Sequence, residues 1–169
     1  FDLLEVDPNT GTVTPLLEDR FLNTRARQDP NNPNRVAFLS NRDRSLDLYT
    51  LDLEDQAVTK RSETDETVMG YAWSPEGDRL VYQAGTFDDT ALRVVDLTID
   101  RDSVFIDEPD SEQSLVTLED VGCAWSTEGV VFATNHETGY RELAVADSDG
   151  DYELRYVNNH DKYAPQWTA

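Results

Sequence analysis

Tyr71-Ala72-Trp73-Ser74-Pro75-Glu76-Gly77-Asp78-Arg79-Leu80-Val81-Tyr82 decides the fold, because the chain returns to it. Ala124-Trp125-Ser126-Thr127-Glu128-Gly129-Val130-Val131-Phe132 repeats it, and Gln166-Trp167-Thr168 begins it again. Each copy reads as a short strand ending in Trp, a turn, and a second strand of alternating bulky residues. In the first copy Ser74 suits the opening position of a type I turn, Pro75 presets φ at the next, and Gly77 supplies the positive φ that closes a hairpin.

A second motif lies between these hairpins. Phe1-Asp2-Leu3-Leu4-Glu5-Val6-Asp7, followed by the turn Pro8-Asn9-Thr10-Gly11, has a twin at Leu46-Asp47-Leu48-Tyr49-Thr50-Leu51-Asp52. Relatives follow at Leu92-Arg93-Val94-Val95-Asp96 and Glu142-Leu143-Ala144-Val145-Ala146-Asp147. The closing aspartates, Asp7, Asp52, Asp96 and Asp147, are spaced by 45, 44 and 51 residues. A period near 45 residues holding about four strands is the spacing of a propeller blade.

The expected fold is therefore all-β, a partial β-propeller of four-stranded antiparallel blades. Residues 1–19 read as the end of one blade, 20–62 as a blade, 63–118 as a blade with an acidic insertion, 119–158 as a blade, and 159–169 as the start of the next. Strands are expected near 68–73, 79–84, 91–96 and 103–106, then near 121–125, 130–134, 141–146 and 152–157. The opening blade lacks its first strands and the closing blade its last. The expectation is a segment of a longer propeller, unable to close its ring by itself and prone to associate through its strand edges. In the 20–62 blade Arg27 stands where Trp is expected, although Ala26 and Arg35-Val36-Ala37-Phe38 match Ala72 and Arg79-Leu80-Val81-Tyr82. Extra residues within 98–119 carry Asp100, Asp102, Asp107, Glu108, Asp110 and Glu112 and read as a solvated loop.

The 169 residues carry 35 acidic against 14 basic side chains, a formal charge of −21, and the only lysines are Lys60 and Lys162. The acids are spread along the chain, so the whole surface repels phosphate backbones; nucleic acid and anionic membrane are not expected partners. Dense carboxylates with scarce lysine predict adaptation to high salt, where screening relieves the repulsion. No stretch has the apolar length of a membrane span. Cys123 is the lone cysteine, which excludes an intrachain disulfide and reads as a small buried hydrophobe. A reducing, cytoplasmic location is the expectation, although the chain begins at Phe1 inside a strand pattern and a native start or signal peptide would precede it.

The chain offers no complete catalytic set, and no catalytic, cofactor-binding or metal-binding residue is assigned. Ser74 and Ser126 lie in repeat turns without a matching His. His136, between Asn135 and Glu137, and His160, between Asn159 and Asp161, read as surface residues of polar loops. Asp147-Ser148-Asp149-Gly150-Asp151 with Glu153 departs from a calcium loop, since glycine comes fourth and Asn158 stands at the twelfth position; turn chemistry explains it better. Asp88-Asp89 and Asp107-Glu108 read as solvated acids. Neither a phosphate-binding glycine loop nor zinc-ligand spacing is present.

The repeated Trp-Ser-Pro-x-Gly-x-Arg-Leu-Val-Tyr pattern, with its polar loop and its strand ending in Asp, resembles the WD40-like repeat of TolB-type propellers. The same repeat builds the N-terminal propeller of prolyl-oligopeptidase (S9) serine peptidases. The resemblance runs over nearly the whole chain, strongest at residues 73–82, weaker at 125–132 and poor at Arg27. It implies a non-catalytic propeller that gates peptide access to a hydrolase domain, whose Ser-His-Asp residues and Gly-x-Ser-x-Gly elbow lie in a C-terminal domain outside these residues. The alternative is a TolB-like module that binds a protein or ligand without catalysis. A third option, a propeller enzyme with its own site in the channel, lacks clustered acids or histidines to support it.

Overall fold

The computed structural model describes residues 2–85, 90–106, 123–134 and 142–156, and every regular element among them is a strand. In chain order these are β1 (Leu3–Val6), β2 (Val13–Leu17), β3 (Asn23–Gln28), β4 (Arg35–Asp43), β5 (Ser45–Asp52), β6 (Val58–Lys60) and β7 (Thr67–Trp73). They continue with β8 (Arg79–Gly85), β9 (Thr90–Asp96), β10 (Arg101–Ile106), β11 (Ala124–Ser126), β12 (Gly129–Thr134), β13 (Glu142–Ala146) and β14 (Tyr152–Tyr156).

All pairing is antiparallel between consecutive strands. β1 and β2 form a two-stranded sheet, and β3–β6, β7–β10 and β11–β14 form three four-stranded meanders. The turns chosen by local chemistry sit where they were expected. Gly77 has φ 70°, its amide donates to the Ser74 carbonyl at 3.0 Å, and the Ser74 amide donates to the Arg79 carbonyl at 2.9 Å. At the first hairpin Gly11 takes φ 71°, and Asp7 accepts from the Asn9 amide at 2.8 Å. The Asn9 amide, with the Thr10 hydroxyl, holds the Asp7 carboxyl below its ordinary pKa.

The period-two alternation of each middle strand serves two cores, which is how a sheet buried on both faces is built. Leu80, Tyr82 and Ala84 point toward the preceding sheet, joining Ala37, Leu39, Leu48, Val68, Tyr71, Trp73 and Val95 in one cluster. Val81 points the other way, joining Ala72, Leu92, Ile106, Cys123, Val130, Phe132 and Ala144 against the following sheet. A third cluster of Leu3, Phe38, Tyr49 and Leu51 joins the two-stranded sheet to β4 and β5. Cys123 is buried in the second cluster as a small apolar side chain, and burial pushes its thiol up to about 12.

Two sequence expectations are corrected. The residue at the tryptophan position of the β3–β4 hairpin is Gln28, not Arg27: Gln28 pairs with Val36 as Trp73 pairs with Leu80, and Arg27 pairs with Ala37 as Ala72 pairs with Val81. A bulge between Thr24 and Arg27, with Arg25 at φ 55°, displaces the strand by one position. Asp102 does not belong to a solvated loop. It lies in β10 with a side chain 1% exposed, accepting from the Tyr82 hydroxyl and from Arg93 Nε at 3.2 Å. Burial, then the bond to Asp102, raises the Tyr82 phenol above its ordinary range. Asp100, in the preceding turn, is exposed and pairs with Arg61 at 2.6 Å. The remaining acids of that stretch, Asp107, Glu108, Asp110 and Glu112, lie outside the described residues.

Candidate functional site

The turns that follow β3, β7 and β11 project to one face, and at this face neighbouring sheets touch through polar side chains. Asp29 stands at the position of Ser74, its amide donating to the Arg35 carbonyl at 2.9 Å. Its buried carboxylate accepts the amides of Asn31 and Asn32 at 2.8 and 3.1 Å and pairs with Arg35 at 2.5 Å. Held there, the Arg35 guanidinium donates to the Gly77 carbonyl at 2.6 Å and lies over the Trp73 ring at 5.4 Å. Asn31 Nδ2 donates to the Pro75 carbonyl at 2.8 Å. Gly77 is required twice, for its positive φ and because an added Cβ would overlap the Asp29 carboxylate.

Inner-strand contacts reinforce the same junction. Trp73 Nε1 donates to the Arg27 carbonyl at 3.1 Å, and Arg25 donates to the Met69 carbonyl at 2.6 Å. The buried Tyr71 hydroxyl lies within reach of the Arg25 and Ala37 carbonyls, at 2.5 and 2.7 Å.

At the next junction part of this arrangement recurs. Arg79, the counterpart of Arg35, lies over the Trp125 ring at 5.0 Å, with Asp78 at 3.9 Å. Beside this stack is an open groove of about 390 Å3, bordered by Glu76, Asp78, Glu128 and Asp147. A second groove of about 530 Å3 adjoins it, between Arg27, Pro30, Trp73 and Ala124.

Ser74 and Ser126 close turns. Ser74 Oγ accepts the Arg79 amide at 3.0 Å and donates to Asp78 Oδ1 at 2.8 Å. Ser126 Oγ accepts the Glu128 amide at 3.0 Å. In the 147–151 turn, Asp147 Oδ1 accepts the amides of Asp149 and Asp151 at 2.9 and 3.1 Å, so its geometry is that of a turn. No cluster of His, Cys, Asp and Glu suited to a metal occurs among the described residues. His136, His160, Asp88, Asp89 and Trp167 lie outside them. Sequence reasoning missed the arginine stacks, although Arg35 and Arg79 hold the same position in their repeats.

Side-by-side four-stranded meanders, clasped between successive inner hairpins, define a β-propeller fold, of which the described residues hold part. Among solved structures it is similar to TolB from Acinetobacter baumannii, with TM-score 0.69 and 13% identity over 90% of this chain. It is similar to dipeptidyl peptidase 4 from Porphyromonas gingivalis, with TM-score 0.68 and 11% identity over 90% of this chain. Acylaminoacyl peptidase from Pyrococcus horikoshii gives TM-score 0.63 and 14% identity over 91% of this chain. The chain spans 37%, 29% and 27% of those three proteins respectively, and at such identities the likeness is one of fold. No family model matches the sequence, and no curated protein matches it.

Proposed function

We propose that the chain is a non-catalytic propeller segment of a prolyl-oligopeptidase-like (S9) serine peptidase, gating peptide access to a hydrolase domain outside these residues. The observation that carries this reading is the propeller fold in common with dipeptidyl peptidase 4 and acylaminoacyl peptidase, joined to the Trp-Ser-Pro repeat that produces it. In such a protein the propeller contributes a rigid ring whose opening limits what reaches the nucleophile. The engagement of Ser74 and Ser126 in their own turns supports a non-catalytic role for these repeats. The reading includes a cytoplasmic, salt-adapted setting, from the lone buried cysteine and the −21 charge.

A second reading is a TolB-like binding module without catalysis. It is favoured by the TolB likeness and by the fold similarity to a chain of the nidogen/laminin complex, at TM-score 0.62. Incubation of the full-length protein with a fluorophosphonate probe, followed by peptide mass mapping, separates the two. A labelled serine C-terminal to residue 169 supports the peptidase reading; an unlabelled protein that retains its fold supports the binding module.

A further inference from the structure

Acids outnumber bases by 35 to 14 in the whole chain, yet the three described inner strands, β3, β7 and β11, carry none. Their only charged residues are Arg25 and Arg27. The first strands of the blades surround the axis of a propeller, so the described part of the inner wall is basic in a chain of formal charge −21.

Both arginines are exposed, and neither is ion-paired among the described residues. Their guanidinium groups are nonetheless held, and both reach toward β7. Arg25 donates to the Met69 carbonyl at 2.6 Å, and Arg27 lies over the Tyr71 ring at 5.9 Å. Burial raises the Cys123 thiol and the Arg27 charge opposes that rise, so the charge is felt as far as the residue before β11.

Arg27 opens onto the groove of about 530 Å3, walled by Pro30, Trp73, Pro75 and Ala124. No described residue bordering this groove is acidic, which leaves Arg27 as its one charge. Contact with the Tyr71 ring occupies a face of the guanidinium and leaves its N–H edge for an acceptor. An oriented cation without a counter-ion, set in an apolar hollow, suits an anion with an apolar flank.

We propose that this groove binds the carboxylate of a peptide, Arg27 pairing with it edge-on while the adjoining residues of the peptide lie against Trp73 and Pro75. Arg25, on the same side of β3, extends the positive wall. The acidic exterior opposes the approach of such a ligand in dilute buffer. In molar salt the Debye length falls to about 3 Å, which screens that distant field and weakens the contact pair far less. The site needs only the inner strands, whether or not the whole protein hydrolyses peptides.

The test is fluorescence anisotropy in molar KCl on the full-length protein, pretreated with the fluorophosphonate probe so that no peptide is consumed. Three peptides carry an uncharged dye at the N-terminus: amidated Ala-Ala-Glu-Ala-Ala, amidated Ala-Ala-Gln-Ala-Ala, and the latter with a free C-terminal carboxylate. Saturable binding of one or both carboxylate peptides is expected, and which of them binds identifies a side-chain or a terminal carboxylate as the ligand. The neutral peptide should not bind. Arg27→Gln should weaken binding about tenfold, the loss of one charge-assisted contact, and Arg27→Lys, which keeps the charge without the fork, should fall between. Arg101→Gln removes the same charge from an exposed position on the outer strand β10 and should leave affinity unchanged. Unchanged melting temperatures in the variants establish that folding is intact. Equal binding of the neutral peptide, no saturable binding of either carboxylate peptide, or equal weakening by Arg27→Gln and Arg101→Gln would overturn the proposal.

Discussion

Arg35, at the start of β4, donates to the carbonyl of Gly77 in the neighbouring sheet at 2.6 Å, so the turn that gives the hairpin its shape also receives the latch between blades. The local requirement and the long-range one fall on the same turn, residues 74–78. A change there is felt twice, in the backbone of one blade and in the docking of another.

Gly77→Ala should therefore cost more than backbone strain alone. The left-handed φ contributes, and the new Cβ displaces the buried Asp29 carboxylate; together we expect a loss of about 2 to 3 kcal/mol. Gly11→Ala has nearly the same φ and nothing near the added Cβ, so we expect only about 1 kcal/mol. Urea unfolding of both variants measures the difference, and equal losses would remove Asp29 from the explanation.

The Asp29–Arg35 pair should show coupling beyond additivity. Single replacement of either by Ala leaves the other without its main partner, while the double variant removes both. A double-mutant cycle on unfolding free energy should return about 1 to 3 kcal/mol of interaction. A value near zero would mean that the guanidinium is held by Gly77 and Trp73 without the carboxylate.

The elements legible in the sequence were those fixed by chemistry within a few residues. Pro75 and Gly77 specify their turn without tertiary help, and the alternation of Leu80, Val81 and Tyr82 specifies a strand buried on both faces. The tryptophan position falls on Arg27 in the sequence and on Gln28 in the structure, because a bulge is a backbone event with no residue signature: Arg25 takes φ 55° although nothing in its identity demands it. Asp102 looked like one acid among many, since its partners Tyr82 and Arg93 come from two other strands. The latch was hidden for the same reason, as it joins residues from opposite ends of a blade period.

Stability should fall at alkaline pH partly through Cys123. Its thiol, ordinarily at 9.0, is pushed by burial to about 12 in the folded chain. Below 9.0 both states hold the proton and the contribution is complete. As pH rises from there toward about 12, the unfolded chain releases the proton first, so unfolding becomes easier. Thermal melts across this range should show a shallower decline for Cys123→Ala than for the wild type. The variant should keep some slope at the upper end, because burial also raises the phenols of Tyr49, Tyr71 and Tyr82.

Added salt should stabilise the protein. With a formal charge of −21 spread over the surface, screening relieves repulsion in the compact state more than in the extended one. The melting temperature should rise steadily from dilute buffer to molar KCl, and a flat response would remove the salt-adaptation proposal.

Gating by the propeller is tested most directly with the full-length protein and two substrates: a short quenched-fluorescent peptide, and the same cleavable sequence displayed in a loop of a folded protein. We expect the free peptide to be hydrolysed and the displayed one to be spared, with the difference abolished in a variant whose propeller is opened by Gly77→Ala and Arg35→Ala together. Equal cleavage of both substrates by the unmodified protein, or cleavage of neither, would contradict the role assigned to this chain.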